Sequence, residues 1–205
     1  MGLTAHHIET GLAALSRTDP HVAAAHARYG TPEPRVRERG FGALMRTIVG
    51  QQVSVAAAAS IWRKLDAATG NAEDPLAIMA QDDPTLRAAG LSPQKLGYAR
   101  SLATLVLNGE LDLTNLPADD EEAILTLTRV KGLGRWSAEI YLLFAEGRPD
   151  IFPAGDLAIQ AQIGKLKGLE TRPSEKATRA LADPWRPHRG AAAVFLWHCY
   201  NAPPL

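Results

Sequence analysis

Three short stretches of this 205-residue chain combine residue types and spacing that can do chemistry. The first is Leu127-Thr128-Arg129-Val130-Lys131-Gly132-Leu133-Gly134-Arg135-Trp136-Ser137-Ala138. There an apolar helix ends, a Gly-x-Gly turn follows, and a second helix begins. Two glycines flanking one apolar residue permit a tight hairpin and the close approach of a foreign backbone. Amides at the start of the second helix, with the helix dipole behind them, make an anion site, and phosphate is the obvious anion. A plain helix–turn–helix corner, in which Gly132 merely ends a helix, fits the same residues. The second stretch, Phe152-Pro153-Ala154-Gly155-Asp156, is a rigid Pro-x-Gly turn that delivers a carboxylate ahead of the apolar-periodic Leu157-Ala158-Ile159. Asp156 can cap that helix, and a carboxylate held there can also stabilise a positive charge developing on a substrate. The third, Ile48-Val49-Gly50-Gln51-Gln52-Val53-Ser54-Val55, breaks a helical run with two glutamines, and a polar turn between helices accounts for it equally.

The elements that must position these stretches are helical. Proline and glycine punctuate the chain at short intervals, and no segment shows period-two alternation bounded by a hairpin turn. The pattern predicts helices over 41–50, from Ser54 to about Gly70, and at 136–146, 156–167, 174–182 and about 186–199. Asp74-Pro75, Asp83-Pro84 and Ser92-Pro93 each place a capping residue before a proline at the first helical position. The fold class is all-α, a compact bundle of about ten short helices. Gly30-Thr31-Pro32-Glu33-Pro34 separates an N-terminal helical segment and linker, 1–34, from a domain over 35–205. The N-terminal helices are expected to pack with 165–205. Residues 201–205 are expected to tail off in coil.

Composition excludes several function classes. A single cysteine, Cys199, rules out an intramolecular disulfide framework, a cysteine-ligated zinc site and an iron–sulfur cluster. No apolar run approaches the roughly 18–20 residues of a membrane span. The N-terminus lacks the basic-then-apolar pattern of a signal peptide. A cytoplasmic protein is expected. Net charge is zero, but it is unevenly distributed: +4 over 31–65, −8 over 66–128 and +4 over 129–205. Such a chain can present one basic and one acidic surface, and the same charges can simply solvate helix faces.

Taken together, the three stretches resemble the helix-hairpin-helix DNA glycosylase superfamily. They stand in that family's order and spacing, over roughly residues 35–200. The Gln51-Gln52 loop closely resembles the alkylpurine branch, of 3-methyladenine DNA glycosylase II type. The resemblance implies a substrate cleft between two helical subdomains, in a compact form without an N-terminal β domain. It implies a monofunctional glycosylase of base excision repair that flips alkylated purines such as 3-methyladenine and 7-methylguanine out of double-stranded DNA and hydrolyses the N-glycosidic bond. Asp156 would be the catalytic carboxylate, with no cofactor and no metal. Trp136, Trp185 and Ile140 would line the base pocket, Ile140 standing where the branch often has a further aromatic. Gln52, with Gln51 beside it, would fill the gap left by the flipped base. Lys131, Gly132, Leu133, Gly134, Arg135 and Ser137 would hold the DNA backbone, assisted by Arg46, Lys165 and Lys167, while the acidic segment faces away. The protein would be a monomer associated with the nucleoid.

The pattern is not followed everywhere. Lys131 stands where the hairpin usually has proline. Trp136 occupies the place of the Schiff-base lysine of the bifunctional enzymes, so no strand nicking is expected. Trp62 and Trp197 read as core tryptophans on apolar helix faces, and Glu139 as a solvent-facing residue. Two other readings stay open on the residues alone. One is a non-catalytic DNA-binding module on the same fold, and the other is an all-α protein-interaction domain using the acidic 66–128 surface.

Overall fold

A computed structural model describes residues 2–202. Among the described residues there are twelve α-helices, one π turn, one 3-10 turn and no strand. The chain divides into two compact units: Met1–Arg37 together with Leu142–Leu205, and Glu38–Tyr141.

The unit built from the two ends of the chain holds α1 (Ala5–Thr18), α2 (Pro20–Tyr29), α10 (Leu157–Leu166), α11 (Glu175–Ala182) and α12 (Arg189–Asn201). A π turn at Leu142–Glu146 and a 3-10 turn at Asp183–Trp185 complete it. Helix α1 lies against α2 and α12, and α12 also packs on α10. Small residues set this closeness, since a Cβ on Gly11 would stand 2.7 Å from that of Ala191. Ile8, Leu12, Ile159, Ile163, Phe195 and Trp185 fill the core.

Asp19 ties this unit together. It caps α2 by accepting from the amides of His21 and Val22, and its second oxygen accepts from Trp185 Nε1 (2.8 Å) and Lys167 Nζ (2.5 Å). Burial alone would raise the Asp19 carboxyl, but the bonds from Lys167 and Trp185 outweigh it and hold the group below the usual carboxylate range.

The second unit runs through α3 (Phe41–Gly50), α4 (Val55–Thr69), α5 (Pro75–Ala80), α6 (Asp83–Ala88), α7 (Pro93–Leu107), α8 (Asp120–Thr128) and α9 (Arg135–Tyr141). Helix α7 is its spine, with α3 and α5 packed on it. Ser54, Asp74, Ser92 and Asp119 each cap a helix by accepting from a first-turn amide. At α6 the cap is Asp82, one residue before the expected Asp83, because Asp82 accepts from Thr85 and leaves Asp83 inside the first turn. The single helix expected over 136–146 is in fact α9 followed by the π turn at Leu142.

The acidic segment does not simply face away. Glu73 pairs with Arg46, Asp83 with Arg100, Glu110 with Arg129, and Glu121 with Arg135, at 2.5–3.0 Å. Glu73, Glu110 and Glu121 therefore neutralise cations of the neighbouring basic segments, while the Asp83–Arg100 pair lies within 66–128.

Candidate active site

The Pro-x-Gly stretch folds into a closed turn. The Ala154 amide donates to the Phe152 carbonyl (2.8 Å) and the Asp156 amide to the Pro153 carbonyl (2.9 Å). Buried Gln160 donates from Nε2 to the Ala154 carbonyl (2.9 Å), fixing the turn to α10. Asp156 is the N-cap of α10, and its Oδ1 accepts from the amides of Ala158 (2.9 Å) and Ile159 (3.1 Å). A third donor, Trp197 Nε1 of α12, reaches the same oxygen at 3.1 Å. The carboxylate is half-buried. Asp156 thus caps its helix as expected, and donors from two different helices orient its Oδ1.

Trp197 is the residue that sequence reasoning missed. Its indole lies beside Phe144, ring centroids 5.5 Å apart, and its N–H is spent on Asp156. The available signal was chemical: a tryptophan on an apolar face still needs an acceptor for its N–H. Trp185 exchanges places with it. Expected to face the base, Trp185 is only 2% exposed, meets Phe152 edge-on at 6.2 Å and donates to Asp19. The ring is buried and its polar tip is occupied within its own unit, so it presents no open surface for a base. Lys167 is likewise committed to Asp19, while Lys165 in the last turn of α10 is exposed.

In the second unit the Gly-x-Gly stretch forms the hairpin between α8 and α9. Gly132 adopts φ +81°, and a Cβ there would sit 2.2 Å from Tyr98 ring carbons. Any larger residue is therefore excluded twice, by dihedral and by contact. Gly134 is exposed and open: nothing lies within 4 Å of a Cβ built on it. The amides are not all available for an anion. Lys131 donates its N–H to Ser101 Oγ (3.1 Å) and Leu133 to the Val130 carbonyl (3.1 Å). The Leu133 and Ser137 side chains are buried. The side chain of Lys131 is exposed.

Arg135 is also not a loose cation. Its guanidinium donates from Nε to Glu139 (3.0 Å) and from its two terminal nitrogens to Glu121 (2.7 and 2.5 Å). The Glu121 bonds first, then the charge of Glu139, raise its pKa further against the lowering effect of burial. Glu139, expected in solvent, is 2% exposed. The i,i+4 spacing of Arg135 and Glu139 was the signal for this pair. Trp136, between them in sequence, is 46% exposed, an unusual exposure for an indole. Ile140 is buried. Arg46 lies 3.7 Å over the Trp62 ring and pairs with Glu73.

The glutamine loop lies beside the hairpin. Gln51 donates from Nε2 to the Gly132 carbonyl at 2.8 Å. Gln52 is exposed at φ +54°, the one non-glycine residue among those described with a left-handed backbone. Lys95 Nζ donates to the Val49 carbonyl (2.8 Å) at the end of α3. Lys95, Tyr98 and Ser101 therefore form a stripe at i, i+3, i+6 on α7 that carries both loop and hairpin. Burial lowers the Lys95 pKa. The sequence reading followed the apolar stripe of α7 and passed over this polar one.

An all-α fold with a Gly-x-Gly hairpin and an aspartate-terminated Pro/Gly turn defines a class, and residues 45–187 match it as the HhH-GPD superfamily of base excision DNA repair proteins. The chain belongs to that family. The structure is similar to that of a DNA-3-methyladenine glycosidase from Bacillus halodurans, with a TM-score of 0.85 at 29% identity, covering 92% of this chain and 88% of that one. It is similar also to a Schizosaccharomyces pombe 3-methyladenine DNA glycosylase in complex with abasic DNA, with a TM-score of 0.76 at 28% identity and coverage of 92% and 95%. The Bacillus subtilis protein YfjP is 27% identical over 165 residues, which are 77% of this chain and 58% of that relative's length.

Proposed function

We propose that this chain is a monofunctional DNA glycosylase that removes alkylated purines by hydrolysing their N-glycosidic bond. The observation that carries the reading is Asp156: a half-buried carboxylate whose Oδ1 is held by three donors at the end of a closed Pro/Gly turn. Departure of the base leaves an oxocarbenium-like sugar. A preorganised carboxylate stabilises that cation and orients the attacking water. Bases already carrying a positive charge, 3-methyladenine and 7-methylguanine, leave without being protonated.

The remaining roles follow the exposures. Trp136 offers an indole face to the extruded base, and such a face attracts a cation by roughly 0.5–2 kcal/mol. Gln52, exposed and in a strained conformation, fills the gap in the duplex; strained backbone of this kind collects at functional loops. Gly134 gives the DNA backbone room to approach, and exposed Lys131 supplies charge. Glu139 is the ion-pair partner of Arg135 and is not assigned as a proton donor. A neutral lesion such as hypoxanthine therefore gains little. The partner is double-stranded DNA bearing alkylated bases, bound by one copy of the protein.

The test is to incubate the protein with methylated DNA and identify the released bases, then compare single-turnover rates on duplexes carrying one 7-methylguanine or one hypoxanthine. Release of 3-methyladenine and 7-methylguanine, with hypoxanthine clearly slower, is expected. No base release from DNA that the protein binds would instead identify a non-catalytic module.

A further inference from the structure

We propose that Gln51 is a positioning residue that locks the gap-filling loop to the hairpin, so that the depth at which Gln52 enters the duplex is set by where the hairpin holds the backbone. The inference rests on the glycosylase reading above. Its basis is how the two segments are joined. Gln51 is half-buried, and one N–H of its side-chain amide donates to the Gly132 carbonyl at 2.8 Å. That bond turns the amide toward the hairpin, although Gln51 adjoins Gln52. Gly132 in turn packs so closely against the Tyr98 ring, at φ +81°, that a Cβ would not fit there. Lys95 holds the Val49 carbonyl on the other flank of the loop, and Ser101 accepts the Lys131 amide. All these bonds lie within Glu38–Tyr141.

The consequence is mechanical. Gln52 sits in a left-handed conformation that an L-residue keeps only where its neighbours over-determine it. The Gln51–Gly132 bond is the neighbour that does so from the hairpin side. A hairpin anchored on phosphate then presents Gln52 at a fixed distance from the strand, and insertion needs no separate ordering of the loop.

The experiment compares wild type, Gln51→Met, Gln52→Ala and the double variant, with Gln51→Ser replacing Gln51→Met if the latter does not fold. Methionine keeps the length of glutamine and removes the donor without adding charge. Three quantities are read: affinity for undamaged duplex across salt, fluorescence of a 2-aminopurine placed beside an abasic site, and single-turnover excision of 7-methylguanine. Gln51→Met should bind undamaged duplex with unchanged affinity and salt slope, because its phosphate contacts remain. It should lose most of the 2-aminopurine response and about tenfold in excision rate at saturating protein. The double variant should be no slower than Gln52→Ala within about twofold, since Gln51 acts through Gln52. Multiplicative losses in the double variant, a reduced salt slope, or wild-type behaviour of Gln51→Met would each overturn the proposal. If wild type excises nothing, the glycosylase reading fails on that arm, while the binding and fluorescence arms still decide the clamp.

Discussion

Replacing Trp197 by Phe separates two things the structure gives that residue. The ring contact with Phe144, at 5.5 Å, is largely kept, and the N–H to Asp156 Oδ1 is lost. A hydrogen bond to a charged acceptor contributes about 1.5–3 kcal/mol. Asp156 is half-buried, so water can replace part of it, and the two capping amides at 2.9 and 3.1 Å remain. The net loss should then be about 1 kcal/mol. The two capping amides come from the first turn of α10 and fix one oxygen, whereas Trp197 ties that oxygen to α12. If the lost orientation is expressed fully in the transition state, about 1 kcal/mol corresponds to a five- to tenfold slower chemical step. The assay is single-turnover excision of 7-methylguanine at saturating protein, with thermal unfolding measured alongside. A fall in rate of that size with a modest fall in stability is expected. An unchanged or faster rate in a folded Trp197→Phe protein would refute the argument that this indole orients Asp156.

Other perturbations probe the rest of the site. Glu139→Gln removes one buried partner of Arg135 but keeps an acceptor, and Glu121 remains; unfolding should become easier by about 1–2 kcal/mol, less than the 3–5 kcal/mol seen when a fully buried pair is broken. Denaturant titration checks it, and an unchanged midpoint would show that Glu121 alone holds Arg135. Borohydride added during reaction with a 7-methylguanine duplex should trap no protein–DNA adduct, because Trp136 stands where a Schiff-base lysine would; an adduct lost in Lys131→Ala would relocate the nucleophile. Asp19→Asn should cost about 2–3 kcal/mol at neutral pH by weakening the bonds to Lys167 and Trp185. Because the folded Asp19 carboxyl lies below its ordinary 3.8, its contribution is complete above that value and is lost as pH falls through the folded one. The stability gap between wild type and Asp19→Asn should therefore stay constant above about pH 5 and close below 3.8, and a gap that persists in acid would show that the charge is not the cause.

Which parts of this were readable from residue order follows from their range. Local chemistry was legible: Ser54, Asp74, Ser92 and Asp156 cap the helices they precede, since a cap is decided within four residues. The hairpin at Gly132 was legible because the Gly-x-Gly pattern is itself local. Partnerships across the chain were not. Nothing near Trp197 announces an aspartate 41 residues upstream, and nothing near Trp185 announces Asp19, 166 residues away. Both tryptophans carry one N–H, and only the packing of α12, α2 and the 3-10 turn decides which acceptor each meets. Charge counting misled for a related reason. Arg135 and Arg46 look like free cations in sequence, and the fold brings Glu121 and Glu73 to them. Glu139 was placed in solvent because acidic residues usually are, but a buried carboxylate is tolerated when a guanidinium four residues earlier meets it.

The central claim is that the Asp156 carboxylate supports cleavage of the glycosidic bond, and Asp156→Asn tests it most directly. Asparagine keeps the oxygen that accepts from Ala158, Ile159 and Trp197, so the α10 cap and the fold should survive. What is removed is the negative charge that the proposed mechanism sets against the sugar cation. Single-turnover excision of 7-methylguanine, measured on Asp156→Asn protein that unfolds within a few degrees of wild type and binds the duplex comparably, should fall by on the order of a hundredfold or more. Excision at a rate near wild type by that folded, DNA-bound variant would contradict the account.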